Sequence, residues 1–281
     1  MAIGDATRIN TNIAAFNALN ALKSINRKLE VSQFRLATGL RINEVADDPA
    51  GFTISKRLDA RARGLAVALD NVGTAKNVLS IAEGGLLNIQ NILITMKEKV
   101  TQARSDTLGV EERNAIKDEL SELAAEIQDT VDETVFNKVA LIDSTYIGKS
   151  FQTGEAKDDV MLFSIVNGSS PTDLSVDDPN LADMVSNHID AGTALDNVNA
   201  ALDTISGTLQ TIGATISRMT FKEDTLRVAI TNTLATKSRI MDADLANEQL
   251  ISTRLQILQQ TATAQLAQAN VGPQNVLALF Q

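Results

Sequence analysis

Apolar side chains recur along this chain at the three-and-four spacing of a buried helical stripe. Leu22, Ile25, Leu29 and Leu36 follow it near the beginning, where Ile9 and Phe16 start another stripe seven residues apart. Near the end, Ile251, Leu255, Leu258, Ala262 and Ala269 occupy a/d positions, while Leu250, Ile257 and Ala264 form a second heptad row. A helix with two apolar rows has more than one face to bury. Heptads at both ends of one chain predict that the ends pair with each other. The leftover row predicts terminal helices that are disordered in the monomer and become ordered in an assembly.

Glycine and proline interrupt helices, so the gaps between them mark helical stretches. The long ones hold 34 residues between Gly4 and Gly39, 38 between Gly109 and Gly148, and 58 between Gly213 and Gly272. As a single helix the last would reach roughly 87 Å at about 1.5 Å per residue, which predicts an elongated molecule. Ile89 to Arg104 and Glu111 to Val131 read as two more amphipathic helices around a turn at Ser105 to Gly109. Glu111 and Glu112 then sit where a helix start favours negative charge.

From Lys149 the pattern changes to that of a β-hairpin. Phe151-Gln152-Thr153 and Val160 to Val166 flank the turn-rich Gly154 to Asp159. Asn167 to Asp178 has loop chemistry, with Pro171 and Pro179 as breakers, and reads as a surface tip exposing Ser169, Ser170 and Thr172 to modification. The expected fold is mainly α, an elongated helical hairpin or coiled-coil bundle with a small β-hairpin and paired N- and C-terminal helices. The expected division is a terminal domain of residues 1–42 and 240–281, and an outer domain of residues 43–239 with hairpin and tip at about 149–180.

Composition narrows the chemistry. With 44% hydrophobic residues, only 3% aromatics, no Trp and Tyr146 as the one tyrosine, the core must be aliphatic, which suits helix-on-helix packing. The 25 Lys and Arg against 35 Asp and Glu show no basic stripe, which argues against nucleic acid. Absent cysteine excludes disulfides and thiolate metal sites. No run of eighteen apolar residues predicts a membrane span, and the opening MAIGDATRIN lacks a Sec-type signal.

No catalytic constellation is legible, so the chain is expected not to be an enzyme and to need neither cofactor nor metal. The single His188 has no zinc spacing and reads as a surface residue. Asp242-Ala243-Asp244 lacks the glycine and distal Glu of a calcium loop and reads as helix-surface charge. Gly84-Gly85 has no following Lys-Ser or Lys-Thr and reads as a kink or turn. Asp47-Asp48-Pro49 and Asp177-Asp178-Pro179 read as turn and helix-start chemistry. Asn12, Asn17, Asn20 and Asn26 on the first helix are either register-setting amides or plain solvent-facing ones.

Five segments carry a family resemblance. Ala37-Thr38-Gly39-Leu40-Arg41-Ile42-Asn43, continuing through EVADDPAGFTIS to Ser55, resembles the N-terminal signature of bacterial flagellins. Ser238 to Asp244, Gln256 to Gln260, Leu266 to Asn270 and Pro273 to Leu277 resemble their C-terminal region in the same order. Phe136-Asn137 and the Phe151 to Gly154 hairpin fall where the family has them. The resemblance implies a structural subunit that self-assembles into the flagellar filament for swimming motility, secreted and extracellular, with terminal helices lining the filament core.

Implied partners are identical subunits, an export chaperone, the type III export apparatus, and junction and cap proteins. The core contacts would be Phe16, Leu22, Ile25, Leu29, Leu36, Ile251, Leu255 and Leu258. The sequence Asp47-Asp48-Pro49 is also similar to that of the hook-filament junction protein, which stays open as the alternative. Pro273 to Leu277 favours flagellin proper. Thr95 stands where the family's arginine contacts an innate immune receptor, so receptor binding is expected to be weak.

Overall fold

The computed structural model describes residues 11–165, 168–177, 185 and 190–278, with side chains of residues 272–278 left aside. His188, Ile9 and Pro179 therefore lie outside the described residues. Five helices account for most of it: α1 (Ile13–Thr38), α2 (Pro49–Ala103), α3 (Val110–Glu133), α4 (Asp190–Met241) and α5 (Leu245–Ala278). Two antiparallel pairs of short strands follow α3, β1 (Val135–Phe136) with β2 (Val139–Ala140) and β3 (Lys149–Gln152) with β4 (Val160–Phe163). The chain divides into two compact units, one up to Ala60 and from Asn232 onward, the other Arg61–Thr231.

The Arg61–Thr231 unit is built on a heptad seam. On α2 one buried row runs Ala68, Val72, Ala75, Leu79, Ala82, Leu86, Ile89, Leu93, Met96, Val100 and Ala103, in steps of four and three, with Leu65 and Val78 buried beside it. Ile116, Leu120, Ala124, Ile127 and Val131 of α3 and Ala194, Val198, Ala201, Ile205, Ile212 and Met219 of α4 join the same cluster. An aliphatic three-helix core results, as the scarcity of aromatics requires.

Helix α2 corrects the reading of a helix beginning at Ile89. It runs unbroken through Gly64, Gly73, Gly84 and Gly85, because burial of its seam outweighs a cost of about 1 kcal/mol per helical glycine. Gly84-Gly85 is therefore not a turn. A Cβ at Gly85 would lie 2.4 Å from Thr134 Oγ1.

The turn before α3 is where the sequence placed it, and Arg113 holds it. Its guanidinium is buried and donates from Nη2 to Ser105 O at 3.0 Å and from Nε to Leu108 O. Asn137 and Lys138, both at positive φ, make the two-residue turn of the β1–β2 hairpin. The β3–β4 hairpin pairs Lys149 with Phe163 and Gln152 with Val160, with Gly154 to Asp159 as its turn.

Residues 168–177 are not a free surface tip. Leu174 and Val176 are buried in the unit's core, and Ser169 is fully buried with its N–H donating to Ile142 O. Two apolar anchors two residues apart pull this polar stretch inward, and they take Ser169 out of reach of modification.

In the other unit, α1 and α5 lie antiparallel. Asn12 Nδ2 donates to Ala269 O at 2.8 Å, Gln259 Nε2 to Asn26 Oδ1 at 2.9 Å, and Ser32 Oγ to Glu248 O at 3.4 Å. Two of the four α1 asparagines thus bridge to α5, and Asn17 and Asn20 are exposed. The 58-residue gap does not hold one helix, because α4 stops at Met241 and α5 starts at Leu245.

Candidate assembly interface

The residues linking α1 to α2 and α4 to α5 form one joint. Gly39 ends α1 with φ 71°, in the left-handed cap conformation glycine adopts freely, and its N–H donates to Arg35 O. Leu40 bridges Asp242 across a single antiparallel step, with Arg41 N donating to Met241 O and Ala243 N to Gly39 O. Arg41 Nη2 adds a bond to Ile240 O at 2.7 Å.

Asp47, Asp48 and Asp244 make the corners. Asp48 Oδ1 accepts from Gly51 N at 3.0 Å and starts α2, as its sequence position predicts. A Cβ on Gly51 would lie 2.4 Å from Asp48 Oδ2 and 2.8 Å from Ile42 Cδ1, so only glycine fits under this cap. Asp47 accepts from Asn43 N at 2.9 Å and Glu44 N at 3.2 Å, and Arg35 approaches to 3.8 Å. The backbone donors of Asn43 and Glu44, helped by Arg35, hold the Asp47 carboxyl below its ordinary range.

Asp244 caps α5, accepting from Ala246 N and Asn247 N at 3.1 Å, and Asp242 accepts from Ser238 Oγ. These two aspartates therefore terminate and start helices instead of decorating a helix surface. Among the described residues no group of His, Asp and Glu is arranged to hold a metal ion.

Above the joint, the α1–α5 pair shows how its apolar positions are used. Leu29 and Leu255 are buried in the seam, with Leu22, Ile25, Leu36 and Ile251 half-buried beside them. Phe16 is 65% exposed and Leu258 43% exposed, so the structure does not bring these two into the seam. At that level Gln259 faces α1, through its bond to Asn26, and turns Leu258 outward. Ser32 and Ser252 are buried where α1 and α5 run close, small residues that a search for apolar stripes passes over.

The outward faces stay apolar. Ile13, Val31 and Phe34 on α1 are exposed along with Phe16, and on α5 Leu250 is 68% and Ile257 59% exposed, with Val271 exposed further along. Ile13, Val31, Phe34 and Val271 are surface positions the stripe reading missed, and Val31 and Phe34 do not follow the seam spacing. A groove of about 530 Å³ runs between the helices, lined by Arg27, Lys28, Val31 and Arg35 from α1 and by Glu248, Ile251 and Leu255 from α5. On Thr95, the family-based expectation meets a half-buried side chain whose hydroxyl bonds back to Asn91 O.

Comparison with known proteins agrees along nearly the whole chain. The family described as "Bacterial flagellin N-terminal helical region" matches residues 9–146, and "Bacterial flagellin C-terminal helical region" matches residues 195–280. A flagellin of Halalkalibacterium halodurans is 33% identical over 274 residues, which is 97% of this chain and 99% of that relative. A flagellin of Bacillus subtilis strain 168 is 32% identical over 305 residues, 98% of this chain and 100% of that relative. A solved structure, a putative flagellar hook-associated protein from Vibrio parahaemolyticus, matches with a TM-score of 0.58 at 13% identity over 70% of this chain and 100% of its own. At that identity the likeness speaks for the fold alone.

Proposed function

The chain belongs to the bacterial flagellin family, and from that premise we propose that copies of it polymerise through the paired helices α1 and α5. It is a structural subunit of the flagellar filament, an extracellular helical homopolymer. The observation that carries the proposed route is the exposure of Phe16, Leu250 and Ile257 on a helix pair already sealed along another face. Apolar rows of that size on both helices need a cover, and in a homopolymer the available cover is the same pair on neighbouring copies.

In this reading the terminal domain, residues 1–42 and 240–281, forms the polymer core, and residues 43–239 form the outer part. The eight residues named from sequence divide the work. Leu22, Ile25, Leu29, Leu36, Ile251 and Leu255 join α1 to α5 within a subunit, and Phe16 and Leu258 contact neighbours. The chain leaves the cell unfolded through the type III apparatus, with an export chaperone covering α5 until assembly, and meets junction and cap proteins at the filament ends. It performs no reaction. With Thr95 in place of an arginine, it is a weak ligand for innate immune receptors.

The test is Leu255→Asp. A carboxylate in the seam should abolish filaments in electron micrographs of seeded, salt-precipitated protein, while thermal melting of the Arg61–Thr231 unit stays unchanged. Normal filaments from this variant would sink the assignment. Circular dichroism of wild-type protein before and after polymerisation should show a gain in helicity. Short rings or monomers alone, with helicity constant, would move the chain to the junction role.

A further inference from the structure

Helix α5 presents two faces that differ in shape and charge. Glu248, Ile251 and Leu255 look into the groove against α1. Leu250 and Ile257 stand as an exposed ridge about 100–120° round the helix from Ile251, taking about 100° per residue. We propose that the Leu250–Ile257 ridge of one copy seats in the α1–α5 groove of the next, with the ridge's Arg254 paired to the groove's Glu248. The proposal rests on the reading of the terminal pair as the polymer core and specifies how two such pairs meet.

Charge is the first argument. Glu248 is only 8% exposed, and no ion pair joins it to another described residue. It lines the groove with Arg27, Lys28 and Arg35, none of which reaches it as an ion pair, so it is the one anionic side chain the groove offers a partner. Arg254 is exposed and likewise has no ion pair among the described residues. It lies four residues after Leu250 and three before Ile257, so the cation rides on the ridge. Elsewhere the groove is lined by Arg27, Lys28 and Arg35, which repel Arg254 and leave Glu248 as its one acceptor. That pattern fixes the register along the groove.

Polar complementarity agrees. Between Leu245 and Ala278, Glu248 and Arg254 are the only charged residues, and the ridge is otherwise flanked by Gln249, Gln256 and Gln260. Amides can accept from the groove's cations, and Arg35 Nε is buried there without a hydrogen-bond partner. Geometry is the third argument. Ridge and groove are different patches of one chain, so the contact is heterologous and propagates, whereas ridge against ridge would be isologous, would close on a dimer and would set Arg254 beside its own copy.

A charge-swap experiment on the full chain decides it. Critical concentrations for seeded polymerisation are measured by light scattering for wild type, Glu248→Arg, Arg254→Glu and the double variant, with monomer circular dichroism alongside. Glu248→Arg, which leaves Arg254 facing cations alone, should raise the critical concentration at least tenfold, Arg254→Glu less because Arg27, Lys28 and Arg35 can receive its carboxylate, and the double should return it to within about threefold of wild type. Residues 248 and 254 are six apart, about 120° round the helix and about 9 Å along it, so rescue cannot arise within one chain.

A double variant no better than the worse single, or single variants that polymerise like wild type, overturns the proposal. If a single variant loses monomer helicity, the cycle is repeated with Glu248→Gln and Arg254→Gln, where additive effects overturn the pairing and coupled effects support it. Leu255→Asp run in parallel separates the levels. If it too polymerises, the terminal-pair reading itself has failed, and if it alone is dead, only the ridge-and-groove contact has.

Discussion

Gly85 has no side chain because Thr134 occupies the space one would take. An added Cβ would meet Thr134 Oγ1 at 2.4 Å and Cγ2 at 2.9 Å, and the hydroxyl is held by its bond to Thr130 O. Gly85→Ala removes a helix-interior glycine, a gain of about 1 kcal/mol, and overpacks a buried contact, a loss of about 1–3 kcal/mol. Thermal or urea unfolding should therefore show a destabilised Arg61–Thr231 unit, and adding Thr134→Ala should recover part of it. A neutral or stabilising Gly85→Ala would show that α2 and Thr134 separate easily.

This contact also explains a limit of the sequence at residue scale. Local chemistry reads Gly84-Gly85 as a break, whereas the reason for Gly85 is a threonine 49 positions away. Asp48 was legible because its partner is the local backbone N–H of Gly51, and Glu111 because the preference of a helix start for negative charge is itself local. Ser169 was not, since its burial follows from Leu174 and Val176 anchoring a stretch that looks soluble.

At the scale of elements, the joint between α1, α2, α4 and α5 gives the terminal unit a pH dependence of its own. Asp47 is held below the ordinary carboxylate range chiefly by the N–H groups of Asn43 and Glu44. A carboxyl depressed in the folded state stabilises the fold fully above its unfolded value of about 4, and that contribution disappears as pH falls through the lower folded value. Melting of the terminal helix pair in assembled protein should therefore be level from about pH 7 to 5 and fall below about pH 4. Asp47→Asn keeps an acceptor for both N–H groups and removes the titration, so it should flatten part of the acid limb. Identical acid limbs in circular dichroism melts of the two proteins would exclude Asp47 as a contributor.

Elements were legible in proportion to their periodicity. The pairing of α1 with α5, the α2–α3 turn and the β3–β4 hairpin all follow from spacing and turn residues. The start of α2 was missed because its seam, in steps of four and three from Ala68, uses alanines among larger residues and passes several glycines. The break at Asp242-Ala243-Asp244 was missed because it contains neither glycine nor proline. An aspartate cap and a one-step bridge to Leu40 do the work instead.

For the whole molecule, charge is unevenly shared. The terminal unit has 11 Lys and Arg against 9 Asp and Glu, and the Arg61–Thr231 unit has 14 against 26, so net charges are +2 and −12. Every copy added to a filament brings the same −12 to a polymer whose contacts, in the proposed route, are apolar rows and one local ion pair. Long-range repulsion between the Arg61–Thr231 units of different copies then opposes growth, and salt screens it, since the Debye length falls from about 10 Å at 0.1 M to about 3 Å at 1 M. A contact-distance pair that is desolvated on seating is screened far less. The critical concentration should therefore fall as sodium chloride rises over this range, with the Glu248→Arg/Arg254→Glu double variant, whose net charge is unchanged, following the wild-type slope. A critical concentration that rose with salt would mean that attraction between the positive terminal units and the negative Arg61–Thr231 units of different copies dominates growth, and the apolar route would have to give way to an electrostatic one.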